Sequence, residues 1–131
     1  MSKYYYPAIF TDEDLGYSVR FPDLDGCFSE GDTLDEAYKM AFDAIGLYLL
    51  QQDGSFIFPK SSNPKYIKTA KTEFVALIEF DDMAYLKKHD SKAFKKTLTI
   101  PSWLNHRAEK ANAPFSQILQ QGLKEYLYIN D

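Results

Sequence analysis

A single cysteine in 131 residues, Cys27, excludes an internal disulfide and any metal site built on a cysteine pair. Nothing beside Cys27 in sequence would lower its pKa, so it reads as a core residue rather than a nucleophile. Histidine is nearly as scarce. His89 and His106 each lack a second ligand at metal spacing, and both read as ordinary surface residues. No apolar run approaches the roughly 20 residues that span a bilayer. The opening Met1-Ser2-Lys3-Tyr4-Tyr5-Tyr6-Pro7 does not have the make-up of a signal peptide. The expectation is a cytoplasmic protein away from membranes. Internal repeats and low-complexity tracts are absent as well.

What is present is a globular composition, 45% hydrophobic and 16% aromatic, of a length that permits one domain or two small ones. Charge is divided unevenly. Residues 1–90 hold 9 Lys and Arg against 16 Asp and Glu, a balance of −7, whereas residues 91–131 hold 6 against 3, a balance of +3. An acidic body suits a basic protein partner, and a mildly basic tail suits phosphates.

The tail reads as one strand and two helices. From Lys95 to Ile100, Lys95, Thr97 and Thr99 alternate with Leu98 and Ile100, and Pro101 closes the strand. Ser102 is placed to cap a helix carrying Leu104, Ala108 and Ala111, which Asn112 and Ala113 break. Pro114 suits the first turn of a second helix with an apolar stripe from Phe115 through Ile118, Leu119 and Leu123 to Leu127. Such a unit is too small to enclose a core, and its strand has no sister nearby. A twofold dimer solves both problems: two strands pair antiparallel, with Lys95, Thr97 and Thr99 on the outer face of a ribbon that fits the DNA major groove.

The body reads as strands at Tyr4–Phe10, Tyr17–Phe21 and Cys27–Glu30, with Pro7 implying an edge or a bulge in the first. Thr33 and Glu36 have capping-box spacing at the start of a helix running to about Leu50. That helix would cover the sheet with Leu34, Ala37, Tyr38, Ala41, Ile45, Tyr48 and Leu49. Phe56, Ile57 and Phe58 form a short apolar run. Residues 60–72, with four lysines, read as a solvated loop that could otherwise contact nucleic acid. Glu73–Phe80 is a strand whose nearly continuous apolar character predicts two covered faces. The order predicts an α+β fold: an N-terminal antiparallel sheet with one main helix over residues 1–82, a linker over 83–93 (Asp81 to Lys92 reading as a short helix or linker), and the strand–helix–helix unit over 94–131.

Two resemblances follow from these residues. Lys96-Thr97-Leu98-Thr99-Ile100-Pro101, with Leu104, Ala108 and Phe115-Ser116-Gln117-Ile118-Leu119 followed by Gly122-Leu123, resembles the ribbon-helix-helix DNA-binding domain. Gly16-Tyr17-Ser18-Val19-Arg20-Phe21-Pro22-Asp23-Leu24-Asp25-Gly26-Cys27 and Glu30-Gly31-Asp32-Thr33-Leu34-Asp35-Glu36-Ala37 resemble the N-terminal domain of HicB-type antitoxins, which is similar to a truncated ribonuclease-H-like fold. The resemblance implies an antitoxin that neutralises a small basic RNA-cleaving HicA-type toxin and represses its own operon. It implies a homodimer through the C-terminal strand, open to further pairing as a dimer of dimers, and no cofactor.

Residue by residue, DNA contact is expected at Lys95, Lys96, Thr97 and Thr99, and at the helix start formed by Phe115, Ser116 and Gln117, whose amides can clamp a phosphate. Toxin contact is expected at the acidic edges near Asp23, Asp25, Glu30 and Asp32. The alternative is a metal-dependent nuclease of ribonuclease-H-like fold, which needs several carboxylates converging on one pocket. The acidic residues fall instead in turns and at a helix cap, and Glu73 and Glu79 stand roughly 20 Å apart along a strand. No catalytic or metal-binding residue is assigned.

Overall fold

Two alternating runs near the start of the chain pair as a hairpin. In the computed structural model, which describes residues 3–130, β1 (Lys3–Glu13) turns through Asp14 and Leu15 into β2 (Gly16–Arg20). Gly16 holds φ +135°, and a Cβ there would strike the Gly31 carbonyl, so this turn requires glycine. The third strand, β3 (Phe28–Gly31), pairs with β2, and β4 (Glu73–Asp81) pairs with β1 from Lys3↔Asp81 to Thr11↔Glu73. The result is an antiparallel sheet in the order β3-β2-β1-β4.

Pro7 therefore lies in a central strand, contrary to the expectation of an edge or a bulge. The backbone explains how. Asp12 donates to the Thr72 carbonyl on the β4 side, so by antiparallel alternation the nitrogen of Pro7 points the other way, towards β2. Pairing with β2 begins only at Ile9↔Arg20, so no ladder bond is missing at Pro7. The expectation for β4 fails too. It is an edge strand with Ile78 and Phe80 buried on one face and Leu77 44% exposed on the other.

Helix α1 (Leu34–Leu49) starts as the sequence predicts, with the Thr33 hydroxyl accepting from the Glu36 amide at 3.1 Å. Its buried face is narrower than the apolar stripe: Ala37, Ala41, Ile45, Gly46 and Leu49 are buried, while Leu34, Tyr38 and Tyr48 are exposed. Small residues let the helix lie close to the sheet, where Tyr6, Ala8, Phe10, Val19, Ile78 and Phe80 complete the core. Tyr38 stays at the margin, and its hydroxyl donates to the Leu77 carbonyl at 3.0 Å.

The run Phe56–Phe58 closes one end of this core. Phe56 bridges to Leu50, Phe58 stacks on Tyr4 at a centroid distance of 3.6 Å, and Ile57 points out. Helix α2 (Asp82–His89) occupies most of the segment expected as a short helix or linker: capped by Asp81, it packs its buried Tyr85 against Phe80 and Phe42. A Cβ at Gly46 would occupy the Tyr85 ring, so glycine there is what admits α2. Asp43 of α1 holds Lys88 and His89 of α2, each at 3.0 Å. His89, expected as an ordinary surface residue, is thus part of this clasp.

The chain divides into two units, Met1–Ser91 and Lys92–Asp131. In the second, α3 (Ser102–Lys110) and α4 (Phe115–Tyr126) are joined by a turn in which Asn112 takes φ 55°. Ala113 donates to the Ala108 carbonyl and Asn112 to that of Glu109, the paired bonds of a Schellman C-cap. Two local expectations shift by one position. Pro101 rather than Ser102 is the N-cap of α3, and Pro114 is the N-cap of α4 rather than a residue of its first turn. Among the described residues no helix is long and apolar enough to cross a membrane.

The Asp43 clasp gives a pH-dependent prediction. Burial alone would raise the Asp43 pKa, but hydrogen bonds from His89 and Lys88 and their charge hold it below the ordinary value. A carboxylate depressed in the folded state stabilises above its unfolded pKa of about 3.9, and the contribution is lost as pH falls through the folded value. Asp43→Asn is expected to lower the denaturant midpoint at pH 6. The gap from the parent chain should close as pH drops below about 4.

Candidate partner and nucleic-acid surfaces

Residues 91–101 carry no regular secondary structure in the single chain, and all are exposed. The strand expected from Lys95 to Ile100 is therefore not formed within one chain; a strand needs a ladder partner, and the second unit contains no strand among the described residues. The alternation is followed only in part: Leu98 and Ile100 share one side, but Lys95 does not stand apart from them. Phe94, Leu98 and Ile100 line a groove of about 650 Å³ with Phe115, Ile118 and Leu119, and Lys95 and Lys96 also border it. Thr97 and Thr99 do not line that groove.

At the start of α4, Phe115, Ser116 and Gln117 present backbone amides with no side-chain cap. The Ser116 hydroxyl accepts from the Gln120 side-chain Nε2 at 3.2 Å. Among the described residues of this unit none is buried. Leu98 is 56% exposed, Ile118 56% and Leu127 58%, along with most of the remaining α4 stripe.

In the first unit the four acidic candidates do not form one cluster. Glu30 and Asp32 line a hollow of about 330 Å³ together with Glu13 and Glu36, beside Leu15 and Met40. Asp23 is committed elsewhere: its carboxylate accepts the Ser62 amide at 2.7 Å and the Ser62 hydroxyl at 2.5 Å. Asp25 is exposed in the turn before Cys27. Sequence reasoning missed Glu13, Glu36 and the apolar Leu15, which is 92% exposed. A leucine between Asp14 and Gly16 in an otherwise acidic turn was the available signal.

The reactive alternatives have structural occupations. Cys27 is buried, its thiol lies 3.6 Å from the Ala44 carbonyl, and burial pushes its pKa up to about 11. A thiol so placed stays protonated at neutral pH. Glu73 binds Arg20 at 3.1 Å and accepts from Thr11 and from the Ala70 amide, whereas Glu79 pairs with Lys3 near the other end of β4. Among the described residues no group of three or more His, Cys, Asp or Glu side chains is arranged to hold a metal ion.

Comparison with known proteins gives this geometry its relatives. Residues 5–121 match the family described as HicB-like antitoxin of bacterial toxin–antitoxin system. An uncharacterised 14.9 kDa protein of Haemophilus phage HP1, from its rep-hol intergenic region, is 36% identical over 111 residues. The alignment spans 80% of this chain and 79% of the phage protein. A chain of a toxin–antitoxin complex from Streptococcus pneumoniae has the same fold, with a TM-score of 0.56 at 24% identity over 95% of this chain and 99% of that one. A chain of the HicA3 and HicB3 toxin–antitoxin complex aligns with a TM-score of 0.50 at 28% identity, covering 60% of this chain and 99% of that one. With a family match that runs through both units, the chain belongs to the HicB-like antitoxin family.

Proposed function

We propose that this protein is an antitoxin and autorepressor. Its first unit binds and neutralises a small basic HicA-type RNA-cleaving toxin, and its second binds operator DNA as a ribbon-helix-helix homodimer. It works in the cytoplasm as a binding module, with no chemistry or cofactor of its own. The observation that carries this reading is the family match over residues 5–121. The complex of HicA3 with HicB3 supports a HicA-type partner. The first unit, in this reading, is a truncated ribonuclease-H-like sheet kept for protein recognition.

Support for the dimer comes from burial. A unit whose leucines and isoleucines lie about half exposed, with an apolar groove between residues 94–100 and α4, is incomplete as a single copy. A second copy of the strand supplies both the ladder and the cover. Thr97 and Thr99, two residues apart and about 6.8 Å along a strand, then face outward with Lys95 and reach base edges. Lys95 and Lys96 meet phosphates or guanine, and the amides at Phe115, Ser116 and Gln117 clamp a backbone phosphate.

Toxin binding belongs to the acidic unit, at the hollow bordered by Glu30 and Asp32 and at the turn of Asp23 and Asp25 beyond the other end of β2 and β3. A chain ended after Ser91 is expected to retain toxin binding by calorimetry, with an association rate that falls as salt rises. A folded chain of that length that fails to bind contradicts the division of labour.

For DNA, Thr97→Ala with Thr99→Ala is expected to relax sequence preference, costing about 1–3 kcal/mol for each base edge no longer read. Lys95→Ala weakens all DNA about equally and lowers the salt slope by roughly 0.9 for each phosphate no longer neutralised. Operator titrations at several salt concentrations read both effects. Parental affinity in the threonine double variant, with dimerisation intact, removes this face from the reading site.

A further inference from the structure

The loop between Pro59 and β4 concentrates charge of one sign on a unit of the other. Residues 60–72 contain Lys60, Lys65, Lys68 and Lys71 and no acidic residue, while the rest of residues 1–91 holds 5 basic against 16 acidic residues, a balance of −11. All four lysines are exposed, and among the described residues none forms an ion pair. The nearby carboxylates are already occupied. Asp23 is bound to Ser62, and Glu73 to Arg20, Thr11 and the Ala70 amide.

Those same bonds hold the loop in a defined shape. The Tyr6 hydroxyl donates to the Pro59 carbonyl at 2.6 Å, the Asn63 side chain caps a turn of 3-10 helix at Pro64–Tyr66, and Thr72 accepts from Asp12. On that turn Tyr66 is 75% exposed, with the Lys65 ammonium 5.5 Å from its ring centre. Beside the ring is a hollow of about 440 Å³ lined by Lys60, Ser61, Ser62 and Asn63. Four unneutralised ammonium groups, an aromatic platform and a hydroxyl-lined hollow are the parts a flexible polyanion with planar bases requires.

We propose that loop 60–72 binds a single-stranded polynucleotide, the lysines meeting phosphates and Tyr66 stacking on a base. A duplex fits less well, since its bases are not free to stack on a side chain. The site is separate from the operator-reading face proposed above and stands on residues of the other unit.

The test uses the full chain and 12-nucleotide fluorescent oligo(U) and oligo(dT), with affinity read by anisotropy from low to physiological salt. Replacing Lys60, Lys65, Lys68 and Lys71 by Gln should weaken binding at least tenfold. The salt slope should fall by about 0.7 for each phosphate no longer neutralised. Tyr66→Ala should cost roughly tenfold and leave the slope unchanged, because stacking releases no counterions. Lys95→Ala with Lys96→Ala separates this site from the other unit and should retain most oligonucleotide binding. Binding of both oligonucleotides, or of one alone, supports the site and names its source. Unchanged binding in the lysine variant overturns it, as does binding that only the Lys95 and Lys96 substitutions abolish. So does an undiminished affinity in Tyr66→Ala, which reduces the loop to a general attraction for polyanions. Salt-sensitive self-association that the lysine variant abolishes, with no oligonucleotide binding, assigns the loop to a second copy instead and also overturns it.

Discussion

Apolar burial is the constraint on which this chain's organisation depends, and it is met within one chain only as far as Ser91. There, Ala37 and Ala41 on the small face of α1 share one buried cluster with Ala8, Phe10 and Ile78, and Phe56, Phe58 and Tyr85 seal the end of the core. Gly46 makes room for Tyr85, and the Asp43 clasp fixes the helix that carries it. From Lys92 on, none of the described residues is buried, although Leu98, Ile100, Ile118, Leu119 and Leu123 are the residue types that usually form a core. The first unit encloses a core by itself, and the second leaves its apolar residues exposed.

That asymmetry matches the division of charge. The first unit is acidic, and its proposed partner surface sets Glu30 and Asp32 around a hollow edged by exposed Leu15 and Met40. The second unit is basic, and in the proposed dimer the copy that covers its apolar groove also places two sets of Lys95, Thr97 and Thr99 on one ribbon. On that proposal, association and DNA reading are a single event. The lysine loop is the exception to the charge pattern, held out from an acidic unit by carboxylates engaged with its backbone and its neighbours.

Local signals in the sequence translated well. The Thr33 cap, the hairpin, the Asn112 break and the boundaries of β4 all rest on residues close together in the chain. What was not legible depends on tertiary partners. Pro7 suggested an edge because sequence does not reveal where β2 stops along β1. Leu34, Tyr38 and Tyr48 fit the helical period but lie outside the face of α1 that the sheet covers. His89 and its partner Asp43 are 46 residues apart, so no local pattern joins them. Of the residues expected from Lys95 to Ile100, Leu98 and Ile100 line the apolar groove and Thr97 and Thr99 do not, but Lys95 borders it with the leucine rather than standing apart with the threonines. The acidic set splits, because Asp23 is occupied by Ser62.

The central claim, that residues 94–131 form a core only with a second copy, is tested most directly by sedimentation equilibrium of the full chain beside Leu98→Pro. Proline at that position removes a ladder N–H and an apolar side chain of the groove together. The account predicts a dimer for the parent chain and a monomer for the variant, with the circular dichroism and unfolding of the first unit unchanged. A variant that sediments as the same dimer would contradict it.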